Sequence, residues 1–334
     1  SHTAPDFTRE TDVTAALPAQ LAGAIRQALD NLAPAHLQVA RGKEDTVAFC
    51  RRYRMKDGSV RTNPGIMNPD VAEPLGTPDY TVEVLVAADG RPIGGLVHYG
   101  LHCDTVGGTE ISADWTYSLR ECLRESLGPD LALLTPIGTA GDVNHWNVFK
   151  PAPARGFAGT ERIGRAIGRA ALDALEHAES VRPGPVRGLR KTIEVDLRYP
   201  TDDELAEARR IWEQPPSDKA DFTLDRVEAG RRIRAAARGR TTALDVTVLA
   251  MGDVALVGVP CELFTELGLD IKGRSPFDHT LVVTLADANI GYVGPRKAHE
   301  EGGYEMTSTL LAAGMAEKLA DTAVELLCAA HAAK

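Results

Sequence analysis

Tyr80-Thr81-Val82-Glu83-Val84-Leu85-Val86-Ala87, the link Ala88-Asp89-Gly90-Arg91 and Ile93-Gly94-Gly95-Leu96-Val97-His98-Tyr99-Gly100-Leu101 form the stretch that decides the fold. Two apolar runs joined at Asp-Gly predict a β-hairpin over 80–87 and 93–101. The hairpin delivers His102-Cys103-Asp104-Thr105-Val106, then Glu110-Ile111-Ser112-Ala113-Asp114-Trp115. An imidazole at the exit of a buried strand stands where a rigid scaffold can hold it over a cleft.

Outward from the hairpin, a helix is expected over 115–127 and an apolar strand over 131–137, ending in Gly138-Thr139-Ala140-Gly141-Asp142. Upstream, Val13, Leu17, Leu21, Ile25, Leu29 and Leu32 recur at helical spacing, predicting a helix over 13–32. Thr46 to Cys50 reads as a short strand entering Arg51, Arg52 and Arg54, and the Pro/Gly/Asn-rich 63–78 as a long ordered loop. Downstream come a helix over 160–178, strands over 188–198, 242–250, 254–258 and 280–285, and a C-terminal helix over about 307–330. A charged arm, 201–240, is broken by Pro215-Pro216 and reads as a helical insertion. Its Arg226, Arg231, Arg232, Arg234, Arg238 and Arg240 suit either an anionic partner or a solvated face balanced by Asp and Glu. Hairpins outnumber βαβ units, so the fold class is α+β and layered.

With 43% hydrophobic and 25% charged residues the 334-residue chain is of ordinary globular composition. Its net charge of -10 points away from nucleic acid as a partner. Five scattered cysteines make neither a disulfide framework nor a CxxC zinc knot and fit a reducing, cytoplasmic setting, with secretion left open. No transmembrane segment or signal peptide is visible. The sequence opens at Ser1-His2-Thr3 without Met.

Polar segments recur at the ends of the expected strands: Ser1-His2-Thr3, Cys50-Arg51-Arg52, His102 to Asp114, Asp142-Val143-Asn144-His145, Pro260-Cys261-Glu262, and Asn289 to Glu305 with Tyr292 and Tyr304. Imidazole nitrogen, carboxylate oxygen and phenolate oxygen are zinc donors, and a catalytic zinc keeps a position open for water. In order along the chain, Phe49-Cys50-Arg51-Arg52-Tyr53, Met55 to Asp70, Leu101-His102 with Ile111-Ser112-Ala113-Asp114, Gly141-Asp142-Val143-Asn144-His145, Pro260-Cys261-Glu262 and Gly291-Tyr292-Val293 resemble the catalytic domain of the neutral/alkaline, non-lysosomal ceramidase family, and its short bacterial ceramidase-like members most.

The resemblance implies a single catalytic domain over 1–334 lacking its N-terminal segment, with two packed mixed β-sheets flanked by helices in an α/β/β/α-like layering. It implies hydrolysis of an N-acyl amide, or transfer of its acyl group, by a zinc-bound water. His102, Glu262 and Tyr292 match ligands of the Zn2+ ion. The fourth ligand, the first His of a His-Thr-His-Ser-Gly-Pro motif, would fall before Ser1, and His2 takes the place of the second, which faces substrate. Arg51 matches the cation that binds the carbonyl oxygen or a polar head group. Asp114 and Asp142 are expected to fix loops behind the ligands, and Asn144, His145 and Tyr304 to shape the pocket. Asn144 replaces the family's serine and no C-terminal immunoglobulin-like domain follows, which points away from ceramide itself.

Three readings of the missing imidazole stand side by side. A companion N-terminal polypeptide from the same precursor completes the site; or self-cleavage makes Ser1 an N-terminal nucleophile with its α-amine as base; or the start is a truncation. A catalytically inactive scaffold or binding protein is the non-enzymatic alternative.

Overall fold

The computed structural model describes residues 12–214 and 224–332. Two mixed sheets carry the fold. The first runs Glu179–Ser180, His36–Lys43, Thr81–Asp89, Arg91–His98, Ala132–Leu134, and the second runs Arg187–Asp196, Thr241–Met251, Val254–Gly258, His279–Val283. Each is antiparallel except for its last pair, which is parallel.

The layering follows from side-chain alternation. Val82, Val84 and Val86 turn one face of the first sheet onto helices Trp115–Leu127 and Gly156–Leu175. Leu244, Val246 and Val248 do the same in the second sheet, against helices Thr265–Arg274 and Met315–Ala332. The opposite faces meet in a seam of Val39, Leu96 and Val181 from one side and Val254 and Leu281 from the other. The four layers are therefore α/β/β/α. Burial on both faces explains why 82–86 is apolar almost throughout instead of strictly alternating.

Polar clips cross the seam. Glu83 is 1% exposed, accepts from Arg41 Nε at 2.7 Å and faces His279 Nδ1 of the other sheet at 3.2 Å. Burial would raise its pKa, but His279 and Arg41 outweigh that and hold it low. His98 Nε2 lies 2.9 Å from the Val282 carbonyl. The sheets are thereby aligned at the strand ends that lead into His102 and Glu262.

Several elements depart from the sequence expectation. The 131–137 strand is only Ala132–Leu134, because Pro136 has no N–H for a ladder; pairing resumes as an isolated bridge between Tyr99 and Ile137. The 63–78 loop contains a strand, Val71–Pro74, that pairs with Arg52–Met55 through a register shift at Arg54/Met55. The C-terminal helix splits into Tyr304–Ser308 and Met315–Ala332, since Leu311 bridges to Leu197, Leu310 accepts from Arg198 N, and Gly314 takes φ 94°. Helix Asp12–Asp30 forms, yet Leu21, Ile25 and Leu29 on its apolar stripe are exposed. The arm folds as helices Asp202–Glu213 and Leu224–Arg238, packed on each other with Trp212 against Gly230; Pro215-Pro216 lies outside the described residues. All five cysteines are free, and among the described residues no helix is long and apolar enough to cross a membrane.

The two helices over the first sheet touch through Gly164. A Cβ there would stand 2.5 Å from Leu119 N and 2.5 Å from the Trp115 carbonyl oxygen, both backbone atoms that cannot swing aside. Gly164→Ala should therefore cost about 1–3 kcal/mol by overpacking. Gly273→Ala, on an exposed helical position with nothing within 4 Å of the new methyl, should be neutral or stabilising by up to about 1 kcal/mol. Urea unfolding of the two variants checks this, and equal effects would refute the close helix contact.

Candidate active site

His102 and Glu262 each sit four residues beyond a strand end, His98 in the first sheet and Gly258 in the second. The clipped sheets bring them together: His102 Nε2 is 3.1 Å from Glu262 Oε2. Glu262 is fixed from below by a two-residue parallel ladder in which Glu262–Leu263 pairs with Tyr292–Val293, Glu262 directly opposite Tyr292. Gly291, at φ 88°, makes the turn into that ladder, and its carbonyl accepts from Glu262 N. The Tyr292 and His102 rings are 6.3 Å apart, and Tyr304 packs edge-on against Tyr292 at 5.8 Å.

The imidazole is oriented from behind. Its Nδ1 lies 2.9 Å from the Val143 carbonyl, and its own carbonyl accepts from Trp115 Nε1 at 3.0 Å. A carbonyl can only accept, so Nδ1 carries the proton and donates. In the neutral ring the lone pair of Nε2 then faces a carboxylate oxygen. Two acceptors at 3.1 Å repel unless a proton or a cation lies between them.

Arg51 is the third member. It follows the short pair Phe49–Cys50 with Val143–Asn144, and its N–H is held by the Asp142 carbonyl. Its side chain is 5% exposed, bonds Glu305 Oε1 from Nε at 2.7 Å, lies 5.0 Å from the Tyr292 ring centre, and brings Nη1 to 3.5 Å from His102 Nε2. Burial opposes its charge, but Glu305 and the Tyr292 phenol keep it firmly protonated. Arg51 Nη2 is buried with no hydrogen-bond partner among the described residues. Arg52 instead turns to Glu301 and the Gly302 carbonyl, so of the two neighbours only Arg51 faces His102.

The remaining expected residues are distributed around this centre. Asp114, at φ 55°, caps helix Trp115–Leu127 and accepts from Thr105 N at 2.8 Å and Val106 N at 3.0 Å, tying down the loop after His102. Asp142 is buried and accepts from Thr265 N and Oγ1, both at 2.9 Å; burial nevertheless raises its pKa. The Asn144 amide is consumed by Asn63 Oδ1 and His145 N. His145 is buried against Trp146 and faces Asp104 Oδ1 at 3.1 Å, so it reaches the site only through Asp104. Ser1 and His2 lie outside the described residues.

Two acidic groups that the sequence reading quotes without a role are placed by the structure. Glu305 is fully buried and joins Arg51, Arg52 and Thr62 Oγ1. Asp104, two residues after His102, is held low by His145, His102 and Arg51 despite the opposing effect of burial. Their sequence signal was weak: Glu305 sits among three other glutamates, Glu300, Glu301 and Glu317, and Asp104 in a turn.

Among the described residues no group of three or more His, Cys, Asp and Glu side chains could hold a metal. The donor set here is instead His102, Glu262 and the Tyr292 phenol, one nitrogen and two oxygens, which suits zinc chemically. Burial pushes the Tyr292 pKa up, outweighing Arg51, so its oxygen is neutral in the metal-free site. Burial also works against the Glu262 charge, but His102, Tyr292 and Arg51 hold its pKa below the ordinary value.

The architecture is ceramidase-like. With a TM-score of 0.68 the chain matches the crystal structure of neutral ceramidase from Pseudomonas aeruginosa, at 18% identity over 95% of this chain and 56% of that one. A ceramidase complexed with C2 matches at the same TM-score and 16% identity, over 95% of this chain and 57% of that one. The chain thus spans little more than half the length of these proteins. No protein-family model and no curated protein sequence matches it.

Glu305→Gln should destabilise the fold by about 3–5 kcal/mol, because two buried guanidinium groups lose their shared carboxylate. Asp104 gives a pH test. Its folded pKa is depressed, so its stabilisation is complete above the unfolded-state pKa and disappears as pH falls through the folded value. Asp104→Asn should therefore flatten the acid limb of a urea-midpoint-versus-pH curve; an unchanged limb would show that Asp104 is not engaged.

Proposed function

We propose that the protein is a zinc-dependent amidohydrolase that cleaves an N-acyl amide. The observation that carries this reading is the meeting of His102 Nε2 and Glu262 Oε2 at 3.1 Å, beside Tyr292 and Arg51, at the strand ends of a ceramidase-like fold. An imidazole nitrogen facing a carboxylate oxygen, with a phenol at hand, forms a pocket that takes either a proton or a cation. His102, Glu262 and Tyr292 would hold the cation, with one nitrogen and two oxygens. When bound, zinc supplies Lewis acidity, lowering the pKa of water and polarising a carbonyl.

The chain's own residues do the rest. The Val143 carbonyl fixes the His102 tautomer and directs Nε2 into the site. Arg51, anchored by Glu305, places a guanidinium charge beside His102 that would stabilise the amide carbonyl oxygen as charge develops on it. Asp114 holds the loop at the rim. His102 and Glu262 keep 18% and 22% of their side-chain surface exposed, so water and substrate reach them from one side.

The protein should retain about one zinc per chain after dialysis, with protons released on binding as donors deprotonate. His102→Ala and Glu262→Gln should lose both the metal and hydrolysis of N-acyl amides. Arg51→Gln should keep the metal while kcat falls about 100- to 1,000-fold. Hydrolysis that is indifferent to chelators and to Glu262→Gln would refute the metal reading; absence of hydrolysis in the zinc-loaded protein would refute the amidase reading.

A further inference from the structure

A cavity of about 410 Å³ adjoins the site, lined by Glu262, Tyr292 and Tyr304 and by Arg231, Arg234 and Arg238. The three arginines come from the arm helix Leu224–Arg238 and, spaced three and four residues apart, occupy one face of it. The rest of the helix is balanced in the ordinary way: Arg232 pairs with Glu228 at 2.6 Å and Arg226 donates to the Gln214 carbonyl at 2.7 Å. The cavity face is not. Arg231 donates to the neutral Ser308 hydroxyl at 2.7 Å, and among the described residues neither Arg234 nor Arg238 has an ion pair. Burial, then repulsion from Arg231 and Arg238, holds the Arg234 pKa down, as expected of cations gathered without a counter-charge.

We propose that this arginine face is an anion subsite that selects amides carrying an oxyanion, a carboxylate or a phosphate, beside the scissile bond. Guanidinium forks match both groups in bidentate geometry. The cavity is of a size for a small ligand, and its aliphatic lining is limited to Ala235, Ile290 and Leu310, little for a long alkyl chain. The chemistry that fits is a short acyl group on an amino acid or a phosphorylated amino alcohol. As a statement about substrate, the inference rests on the amidohydrolase reading; as a statement about anion binding, it stands on the arginine geometry alone.

The test uses N-hexanoylglycine, O-phospho-N-hexanoylethanolamine and the neutral N-hexanoylglycinamide, with the wild-type protein and Arg234→Gln/Arg238→Gln. In the zinc-loaded protein kcat/KM for at least one anionic amide should exceed that for the neutral one by about ten- to a hundredfold, and the ratio should fall towards one in the variant. A purely structural role for the arginines would lower all the rates and leave the ratio. Calorimetric binding of the same compounds to the chelator-treated protein removes both catalysis and any direct anion–metal contact. Charge-dependent binding that is lost in the variant, without hydrolysis of any compound, would sustain the subsite and sink the amidohydrolase reading. Hydrolysis or binding with no charge preference, or a preference untouched in the variant, would overturn the subsite. The larger of the two anionic preferences identifies carboxylate or phosphate.

Discussion

Everything at the candidate site depends on how two sheets are clamped face to face. Their apolar seam is thin, and apolar contacts alone would tolerate sliding, since the hydrophobic effect is non-directional. Glu83 with His279, and His98 with the Val282 carbonyl, remove that freedom. A buried carboxylate without Arg41 and His279 would be costly, so the alignment that pairs them is strongly preferred. His102 leaves one sheet and Glu262 the other; a shift of one residue between the sheets, a little over 3 Å, would be enough to separate them.

Polar groups are then nested outward from that clamp. The Glu262–Tyr292 ladder, the Phe49–Asn144 pair and the Asp114 cap are each very short, and none would persist alone in water. They hold because their ends are anchored in the layered core. Glu305 performs the same service for Arg51 and Arg52: one fully buried carboxylate fixes two guanidinium groups and commits only one of them to the cleft.

Much of this was legible in the sequence where the signal is local. The hairpin around Asp89-Gly90 and the helix that starts after Asp114 appear where pattern and turn chemistry place them. His102, Arg51, Glu262 and Tyr292 come together, though their neighbourhood became readable through a family resemblance and not through spacing. What was illegible is non-local. Val71–Pro74 looks like loop because its strand character comes from its partner Arg52–Met55. The split before Met315 depends on Leu311 meeting Leu197, over a hundred positions earlier. Glu305 could not be told from Glu300 or Glu301, since burial, not residue type, gives it its role.

The separation of the two central donors along the chain also sets an order of events during synthesis. His102 and Glu262 are 160 positions apart, so at about 5–20 residues per second the ribosome makes the second roughly 8–30 s after the first. Until Val254 and Leu281 have been made, the inner face of the first sheet, with Val39 and Leu96, lacks the second-sheet residues that cover it. The nascent chain therefore presents an apolar face that its C-terminal half covers later.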